Sequence, residues 1–322
     1  MPKLQTLLLL GLLLVLTHVQ GFAEDAKKPT EVEIGIYLLD LYDLDLKSGS
    51  FIGDFYLWLR WKGDLDPTKF EFMNGEMEAR DNPDQKKIGD LNYISYRMRG
   101  KFRANLDFKD YPLDKQLLTI QIEDSNLDSN SLLYVADKEN MAFAKRFYLS
   151  GWESADKPTF QTAIQNYETN YGNPERAPGE KASYSRFVLS IPIQHAGADF
   201  IYLKTFIGVF ISVAIAFLTF LVDPEDLDPR FGVGVAGIFG AVSSMIVVSS
   251  NMPENPYFTL SDKVHLVSLG FIFLSILTSC IVLRTSKKGH SMLSKKIDVC
   301  SGIFLAISYI GTVYLLGINV KS

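Results

Sequence analysis

The chain has 322 residues, of which 47% are hydrophobic and 12% aromatic, and its formal net charge is −5 at pH 7. This length allows about two domains, and the acidic balance argues against general nucleic-acid binding, which needs a basic surface. The two cysteines, Cys280 and Cys300, lie in apolar segments. No disulfide framework is therefore expected.

Residues 1–23 have the pattern of a secretory signal peptide. Lys3 precedes a leucine-rich run of about ten residues, and small residues follow at Gly21 and Ala23. A retained anchor helix is the weaker alternative, because the apolar run is short for a bilayer span. We therefore expect cleavage after Ala23 and export of the segment that follows.

Residues 24–198 are predicted to form an antiparallel β-sandwich outside the membrane. Bulky apolar residues alternate with smaller or polar ones in segments 32–61, 93–108, 116–124 and 183–194, and Gly, Asn, Asp and Pro turns separate these runs. Period-two alternation between turn-forming residues is typical of short strands in a two-sheet fold.

Residues 199–322 are predicted to form a four-helix transmembrane bundle. The four spans, each nearly free of charge, are Thr205–Val222, Phe231–Ser250, Val264–Leu283 and Val299–Val320. About twenty residues cross a hydrocarbon core as a helix. Burial inside a large soluble protein is the alternative, but too little polar chain surrounds these segments. The 284–296 connection carries five Lys and Arg residues, which places it in the cytoplasm.

Four sequence motifs occur along the chain. They are DFYLWLRW (54–61), DYPLDKQLL (110–118), YSRFVLSI (184–191) and NMPENPYFTLSDK (251–263). Together with the signal and the four spans they resemble the pentameric ligand-gated ion channels (Cys-loop receptor superfamily) over residues 31–320. Animal members carry a disulfide where Ala104 and Leu118 stand, so the prokaryotic members are the more similar ones.

The resemblance implies a homopentamer in the inner membrane, with the N-terminal domain in the periplasm. Its partners would be membrane lipid, permeant ions and either a small-molecule ligand or protons, and we assign no cofactor, metal or nucleic acid. No enzyme activity is expected, because the sequence has no Ser-His-Asp order and no His-x-x-His metal pattern. The segment 62–69 is shorter than in the family, and the second span holds four glycines. These departures leave a membrane receptor that assembles without conducting as the alternative.

The resemblance also implies that the second span lines a central pore. Arg230 and Pro253 align with the family pattern without a gap. One stripe at helical spacing then faces the pore, and it comprises Asp228, Gly232, Ala236, Phe239, Ser243, Ile246 and Ser250. In a ring of five, Asp228 would attract cations at the inner mouth, and Phe239 or Ile246 would form apolar constrictions that gate by dewetting.

This span has two other interpretations. A ridge of small residues at positions 232, 236, 240 and 244 is also typical of ordinary helix packing. The sequence GVGVAG (232–237) formally matches a dinucleotide fingerprint, but no strand precedes it and it lies inside a span. We therefore discount nucleotide binding and keep pore lining and helix packing as the alternatives.

The corner NLDFKDYPLDKQLL (105–118) is implied to couple ligand binding to the pore. The residues assigned to this role are Asp45, Pro112, Asp114, Arg186 and Pro253. Pro112 fixes one backbone angle. Asp114 is expected to pair with Arg186, with Asp43 or Asp45 as a further partner, because a charge cluster at a domain boundary can have two arrangements. A β-turn with a stabilising ion pair is the alternative.

The ligand site of the family lies between subunits and is lined by aromatic residues. The resemblance assigns to it Tyr167, Tyr171 and Tyr184 from a capping loop, with Trp58 and Arg60 from the neighbouring subunit. Aromatic faces there could hold an amine. The alternative for each tyrosine is packing within or on the sandwich.

Two further patterns in the sequence are weaker. EDSNLDSN (123–130) places oxygens at alternate positions, as in a calcium loop, but lacks the glycine and the closing glutamate of that motif. A solvated acidic turn is therefore favoured, and no metal site is assigned. His265, near the outer end of the third span, could sense protons, although a lone histidine there is more often an interfacial residue.

Overall fold

The computed structural model describes residues 28–144 and 149–321, so the predicted signal peptide at 1–23 lies outside the described residues. Within the described ranges, strands come first and long helices follow. The strands are β1 (Thr30–Asp45), β2 (Ser50–Lys62), β3 (Phe70–Phe72), β4 (Gly75–Ile88), β5 (Leu91–Arg103), β6 (Lys115–Asp124), β7 (Leu132–Ala136), β8 (Ala142–Phe143), β9 (Trp152–Ser154), β10 (Thr159–Asn166) and β11 (Ser183–His195).

The strands form two sheets. The first has the order β4-β5-β2-β1-β7, with β8 also on β1, and the second has the order β10-β11-β6-β3, with β9 on β11. Most pairs are antiparallel, as predicted, but β7 and β8 run parallel to β1. After β6 the chain crosses from the second sheet to the first. β7 therefore joins β1 without a hairpin turn, which would have forced an antiparallel pair.

The two sheets share one apolar core, which makes the fold a β-sandwich. Every second residue of β1 from Val32 to Leu38 is at most 1% exposed, which is the alternation expected for a strand with one buried face. Phe55, Phe72 and Phe102 meet at ring-centroid distances of 5.0 to 6.2 Å. Such aromatic contacts add to the stabilisation from buried area.

Four helices follow the sandwich. They are α1 (Ala198–Phe217), α2 (Leu227–Ser249), α3 (Leu260–Lys287) and α4 (Ser291–Lys321), and a short 3₁₀ turn, Leu218–Leu221, extends α1. All four are long and apolar enough to cross a membrane. α4 begins at Ser291, before the predicted Val299, so it includes polar residues that the hydropathy pattern leaves outside the span.

The helices pack through an apolar cluster and through buried hydroxyl groups. Phe206 of α1, Ala241 of α2 and Ile272 of α3 are fully buried in one cluster. The hydroxyls of Ser268 on α3 and Tyr309 on α4 lie 2.9 Å apart in a buried hydrogen bond. Thr259 and Asp262 form a capping box at the start of α3, which satisfies its first backbone N–H groups.

Candidate functional site

One face of α2 is exposed in the isolated chain. All seven residues predicted to line a pore lie on it, namely Asp228, Gly232, Ala236, Phe239, Ser243, Ile246 and Ser250. Phe239 and Ile246 are 69% and 64% exposed, respectively. The opposite face is buried and contains Arg230, Gly234, Gly237, Ala241 and Val248. The predicted stripe is therefore a free face of the helix.

The glycines of α2 have two different surroundings. A Cβ on Gly237 would lie 2.8 Å from Cβ of Ala216, and one on Gly234 would lie 2.6 Å from Ile276. Both glycines thus allow close helix packing. A Cβ on Gly232 would meet nothing within 4 Å. The ridge of small residues noted in the sequence therefore has two roles. Gly232 and Ala236 are exposed on the predicted pore face, whereas Gly240 packs against Ser212 of α1.

The inner end of α2 is held by a buried ion pair. Arg230 binds the carboxylate of Asp298 on α4 with both terminal nitrogens, and the side chains are only 1% and 5% exposed. Nη1 of Arg230 also donates to the carbonyl of Val222 at 3.3 Å. The hydroxyl of Thr219 lies 3.4 Å from the Arg230 carbonyl oxygen. The first turn of α2 is therefore tied to α1 and to α4.

The outer end of α2 is held by apolar contacts with the sandwich. Phe108 and Tyr111 of the 105–118 corner form a buried cluster with Val248 and Met252 at the end of α2, and Leu46 of the β1–β2 turn packs against it. Burial of this apolar surface is favourable but not directional. The corner singled out in the sequence therefore lies against the outer end of the predicted pore helix.

Hydrogen bonds join the same corner to the α2–α3 connection. The Tyr257 hydroxyl donates to Oδ1 of Asp107 at 3.1 Å and accepts from the backbone N–H of Phe108 at 3.2 Å. The Leu260 N–H donates to the carbonyl of Lys109 at 2.7 Å. The Lys109 backbone N–H, aided by the Tyr257 hydroxyl, lowers the pKa of Asp107.

Asp114 lies beside His195, the last residue of β11. Its Oδ1 is 3.5 Å from Nε2 of His195, and at that separation neither atom has a hydrogen-bond partner. Its Oδ2 accepts from the side-chain amide of Gln116. The His195 ring stacks on Trp152 at a centroid distance of 3.8 Å and meets the edge of Tyr111 at 6.2 Å. Asp114 is thus a buried carboxylate beside a histidine, where the sandwich joins the helices.

The predicted pair between Asp114 and Arg186 is wrong. β6 and β11 are antiparallel, with Lys115 opposite Gln194, so the start of β6 meets the end of β11. Arg186 precedes His195 by nine residues, which is about 30 Å along a strand. The pairing was inferred from residue types, whereas strand register places His195 next to Asp114.

The remaining coupling residues occupy turns around this junction. Asp45 accepts from the Lys47 N–H at 2.9 Å and from the Ser48 hydroxyl at 2.8 Å, so it closes the β1–β2 turn and is not bound to Asp114. A cis peptide bond precedes Pro112. The Pro253 carbonyl accepts from the side chain of Asn255 at 2.9 Å.

Arg186 instead organises a polar network within the second sheet. It donates to Glu123 at 2.6 Å, to Gln121 at 3.1 Å and to the Tyr167 hydroxyl at 2.8 Å. Tyr167 in turn donates to Glu123 at 2.9 Å. Burial, followed by the Glu123 contact, raises the pKa of Tyr167 to about 12. Its phenol therefore remains a donor at neutral pH.

The three predicted ligand-site tyrosines form one aromatic cluster. Tyr167, Tyr171 and Tyr184 meet edge to face at centroid distances of 5.5 to 6.4 Å. Tyr171 is 58% exposed, and the guanidinium of Arg176 lies 5.9 Å from the Tyr184 ring. Aromatic rings with a neighbouring cation are an arrangement that can also accept a ligand cation.

Trp58 and Arg60 lie in the first sheet and share a different partner. Both donate to Oδ2 of Asp137, at 2.9 and 2.7 Å, and Arg60 also pairs with Glu33 at 2.7 Å. The Trp58 ring covers Gly35 so closely that no side chain fits there. These residues belong to β2, in the other sheet from β11, which carries Tyr184.

The two weaker patterns have structural roles. Glu123 and Asp124 of the acidic loop use their oxygens for Arg186 and for the N–H groups of Asn126 and Leu127. No group of possible metal ligands occurs among the described residues. His265 is fully buried. It lies 2.8 Å from the Ser261 carbonyl and 3.2 Å from the Ser244 hydroxyl, and so links α3 to α2.

The chain is similar in sequence to known ion channels and receptor subunits. The chain is 25% identical over 281 residues to a proton-gated ion channel of Gloeobacter violaceus, an alignment that covers 78% of this chain and 72% of that protein. It is 24% identical over 191 residues to the human gamma-aminobutyric acid receptor subunit rho-2, covering 58% of this chain and 38% of that subunit. No family model matches the chain.

A third relative is an acetylcholine-gated chloride channel subunit, acc-2, of Caenorhabditis elegans. It is 22% identical over 194 residues, covering 59% of this chain and 40% of the relative. The alignments thus span about two fifths of these two animal subunits. These three relatives are channels or receptor subunits and not enzymes, in agreement with the expectation from the sequence. Together with the four apolar helices, they support a multi-pass membrane protein with an extracellular N-terminal domain.

Proposed function

We propose that five copies of this chain form a ligand- or proton-gated, cation-selective channel, a proposal supported by its similarity to a proton-gated ion channel and to ligand-gated receptor and channel subunits. α2 lines the pore, and the β-sandwich of residues 24–198 lies in the periplasm above the membrane domain of residues 199–322. The channel is placed in the inner membrane of a bacterium, with residues 1–23 as its secretory signal.

The exposed stripe of α2 is the observation that carries this proposal. One face of the helix packs against α1 and α3 through Gly234, Gly237 and Ala241. The other face presents glycine, alanine, serine and two large apolar residues in an order that suits a pore. In a ring of five, the Ser243 and Ser250 hydroxyls offer oxygens to ions, and Phe239 forms a constriction that excludes water when closed.

Cation selectivity is supported by the charges at the inner mouth. Asp228 is exposed on the pore stripe, whereas Arg230 is buried and paired with Asp298. Five exposed carboxylates in a ring attract cations and repel anions. One relative is a chloride channel subunit, so anion selectivity is the alternative that the experiment must distinguish from cation selectivity.

Two kinds of trigger fit the sandwich. The cluster of Tyr167, Tyr171 and Tyr184 presents aromatic edges and faces that suit an amine, and Trp58 with Arg60 would complete the site from the neighbouring subunit. Protons are the second trigger. One relative is a proton-gated ion channel, and the buried carboxylate of Asp114 lies 3.5 Å from Nε2 of His195 at the domain junction.

Coupling would pass through the corner of residues 105–118. This corner contacts the outer end of α2 through the cluster around Phe108 and Met252, and the α2–α3 connection through Tyr257. A rearrangement of the sandwich therefore has a direct contact through which it can displace α2.

Electrical recording tests this proposal. The purified chain is reconstituted into planar bilayers, and currents are recorded while the outer pH is stepped and a panel of amines and amino acids is applied. The expected result is a gated current whose reversal potential in a KCl gradient lies near that of K⁺. Asp228→Asn should move it toward the Cl⁻ value, because the carboxylate ring is lost.

Asp226→Asn is the matched control. It removes the same charge just before α2 begins, off the pore stripe, so the reversal potential should change far less. Equal shifts for Asp226→Asn and Asp228→Asn would refute the assignment of Asp228 to the pore. Silence of a protein shown to be a ring of five would favour the non-conducting receptor.

A further inference from the structure

The pore helix carries two charged residues, and they point in different directions. Asp228 and Arg230 are the charged positions in Leu227–Ser249. Residues two apart on an α-helix project about 200° from one another. Asp228 accordingly lies on the exposed stripe while Arg230 lies on the packed side, where it is 2% exposed.

Arg230 is neutralised by a residue of the outermost helix. Asp298 of α4 is 4% exposed, and both of its oxygens accept hydrogen bonds from the two terminal nitrogens of Arg230. A bidentate arginine–carboxylate pair is fixed in geometry as well as in charge. The basic side chains of the 284–296 connection at this end are all exposed, namely Arg284, Lys287, Lys288, Lys295 and Lys296.

We propose that Asp298 is a determinant of ion selectivity, although it does not line the pore. By cancelling the charge of Arg230, it leaves Asp228 as the unbalanced charge of the pore helix. This inference rests on the proposed function, because it requires α2 to line the pore. It makes Asp298 a positioning residue that acts through Arg230 and not through contact with ions.

The physical reason is that a buried charge is poorly screened. An unpaired Arg230 would lie about one helix diameter of 10 Å from the pore surface, a distance comparable with the screening length of physiological salt. Five such charges would oppose the ring of Asp228 carboxylates. The cation-to-anion permeability ratio should then fall about fivefold or more.

The experiment compares reversal potentials in a KCl gradient for the full chain in planar bilayers. All variants carry Phe239→Ser and Ile246→Ser, which remove both candidate apolar constrictions so that ions flow without a trigger. In this background Asp298→Asn should shift the reversal potential toward the Cl⁻ value. Arg230→Gln should shift it the other way, because an unpaired carboxylate remains. The neutral double variant Arg230→Gln/Asp298→Asn should restore the reference value, as should Asp298→Glu.

A reversal potential separates selectivity from folding, because poorly assembled channels reduce the current without changing the voltage at which it reverses. If Asp228→Asn shifts the potential but Asp298→Asn and Arg230→Gln do not, the inference is overturned and the proposed function stands. If this doubly substituted background carries no current although the protein is assembled, the proposed function itself is contradicted. If one of the two single variants assembles too poorly to record, the other decides the question, because each is expected to shift the reversal potential in its own direction.

Discussion

The two ends of α2 are held by different kinds of interaction. At the inner end, Arg230 and Asp298 form a buried and directional ion pair. At the outer end, Val248 and Met252 pack with Phe108 of the sandwich in an apolar cluster. A buried ion pair tolerates little displacement, since separating it leaves uncompensated charge. Apolar contacts can exchange for one another, since the hydrophobic effect has no preferred direction.

This difference indicates which end of the helix can move. The outer end touches the domain that would receive the signal, and its contacts permit a shift of the helix against the corner. The inner end is anchored to α1 and α4. A channel built in this way would open by displacement of the outer part of α2 about a fixed base, and the predictions below test that contrast.

The largest effect is expected at the inner anchor. Asp298→Ala leaves the buried Arg230 unpaired, which should cost about 3–5 kcal/mol of stability per subunit. Thermal unfolding of the detergent-solubilised assembly measures the loss. Lys296→Ala, an exposed change on the same helix, should stay within about 0.5 kcal/mol. An unchanged melting temperature for Asp298→Ala would show that the pair is no anchor.

A smaller effect is expected at the outer end, and it should appear in gating. Met252→Ala removes part of the apolar cluster, at a cost of about 2 kcal/mol. If this contact transmits the signal, the trigger concentration for half-maximal current should rise about thirtyfold. Met292→Ala makes the same chemical change where the side chain is 79% exposed and should have no effect. A large loss of current without a shift in trigger concentration would argue against a transmitting role.

The hydrogen bonds of Tyr257 should contribute less than the apolar cluster. Tyr257→Phe removes its bonds to Asp107 and to the Phe108 backbone while keeping the ring, a loss of about 1 kcal/mol. A dose–response curve should shift by about fivefold. Tyr314→Phe, at a residue 67% exposed on α4, is the matched control. A shift as large as that of Met252→Ala would mean that polar contacts dominate the outer end.

Asp107 should have the smallest effect, confined to acidic pH. Its pKa lies below the ordinary value of 3.8, chiefly because the Lys109 N–H stabilises the carboxylate. A depressed folded pKa means that this stabilisation is complete above the unfolded pKa and is lost as the pH falls through the folded one. Asp107→Asn should therefore leave any proton activation near neutral pH unchanged. A displaced pH of half-activation in that range would assign proton sensing to Asp107.

Much of the fold was predictable because it follows from local patterns. Strand alternation, the turn at Lys47–Ser50 and the four spans are each encoded in short segments, and the resemblance to ligand-gated channels is confirmed by the relatives. The hydropathy pattern missed the first turns of α4. It excludes polar residues such as Asp298, whose charge is satisfied only by Arg230 on another helix.

The pairing of charged residues was harder to predict. Arg186 was expected beside Asp114, but strand register puts it with Glu123 and Tyr167. His195 was missed altogether, because its contacts with Asp114 and Trp152 join residues far apart in the chain. Residue type alone does not fix such pairs, since every second residue of a strand lies on the same face and the register decides which of them meet.

The most direct test of the central claim is the accessibility of α2 from the ion pathway. Cys280 and Cys300 are replaced by serine, and single cysteines are introduced by Ser243→Cys on the exposed stripe and Ala241→Cys on the buried face. A charged, membrane-impermeant thiol reagent applied during current recording should block the Ser243→Cys channel and leave the Ala241→Cys channel conducting. Equal block at both positions, or none at Ser243→Cys despite labelling elsewhere, would contradict the claim that this face of α2 lines the pore.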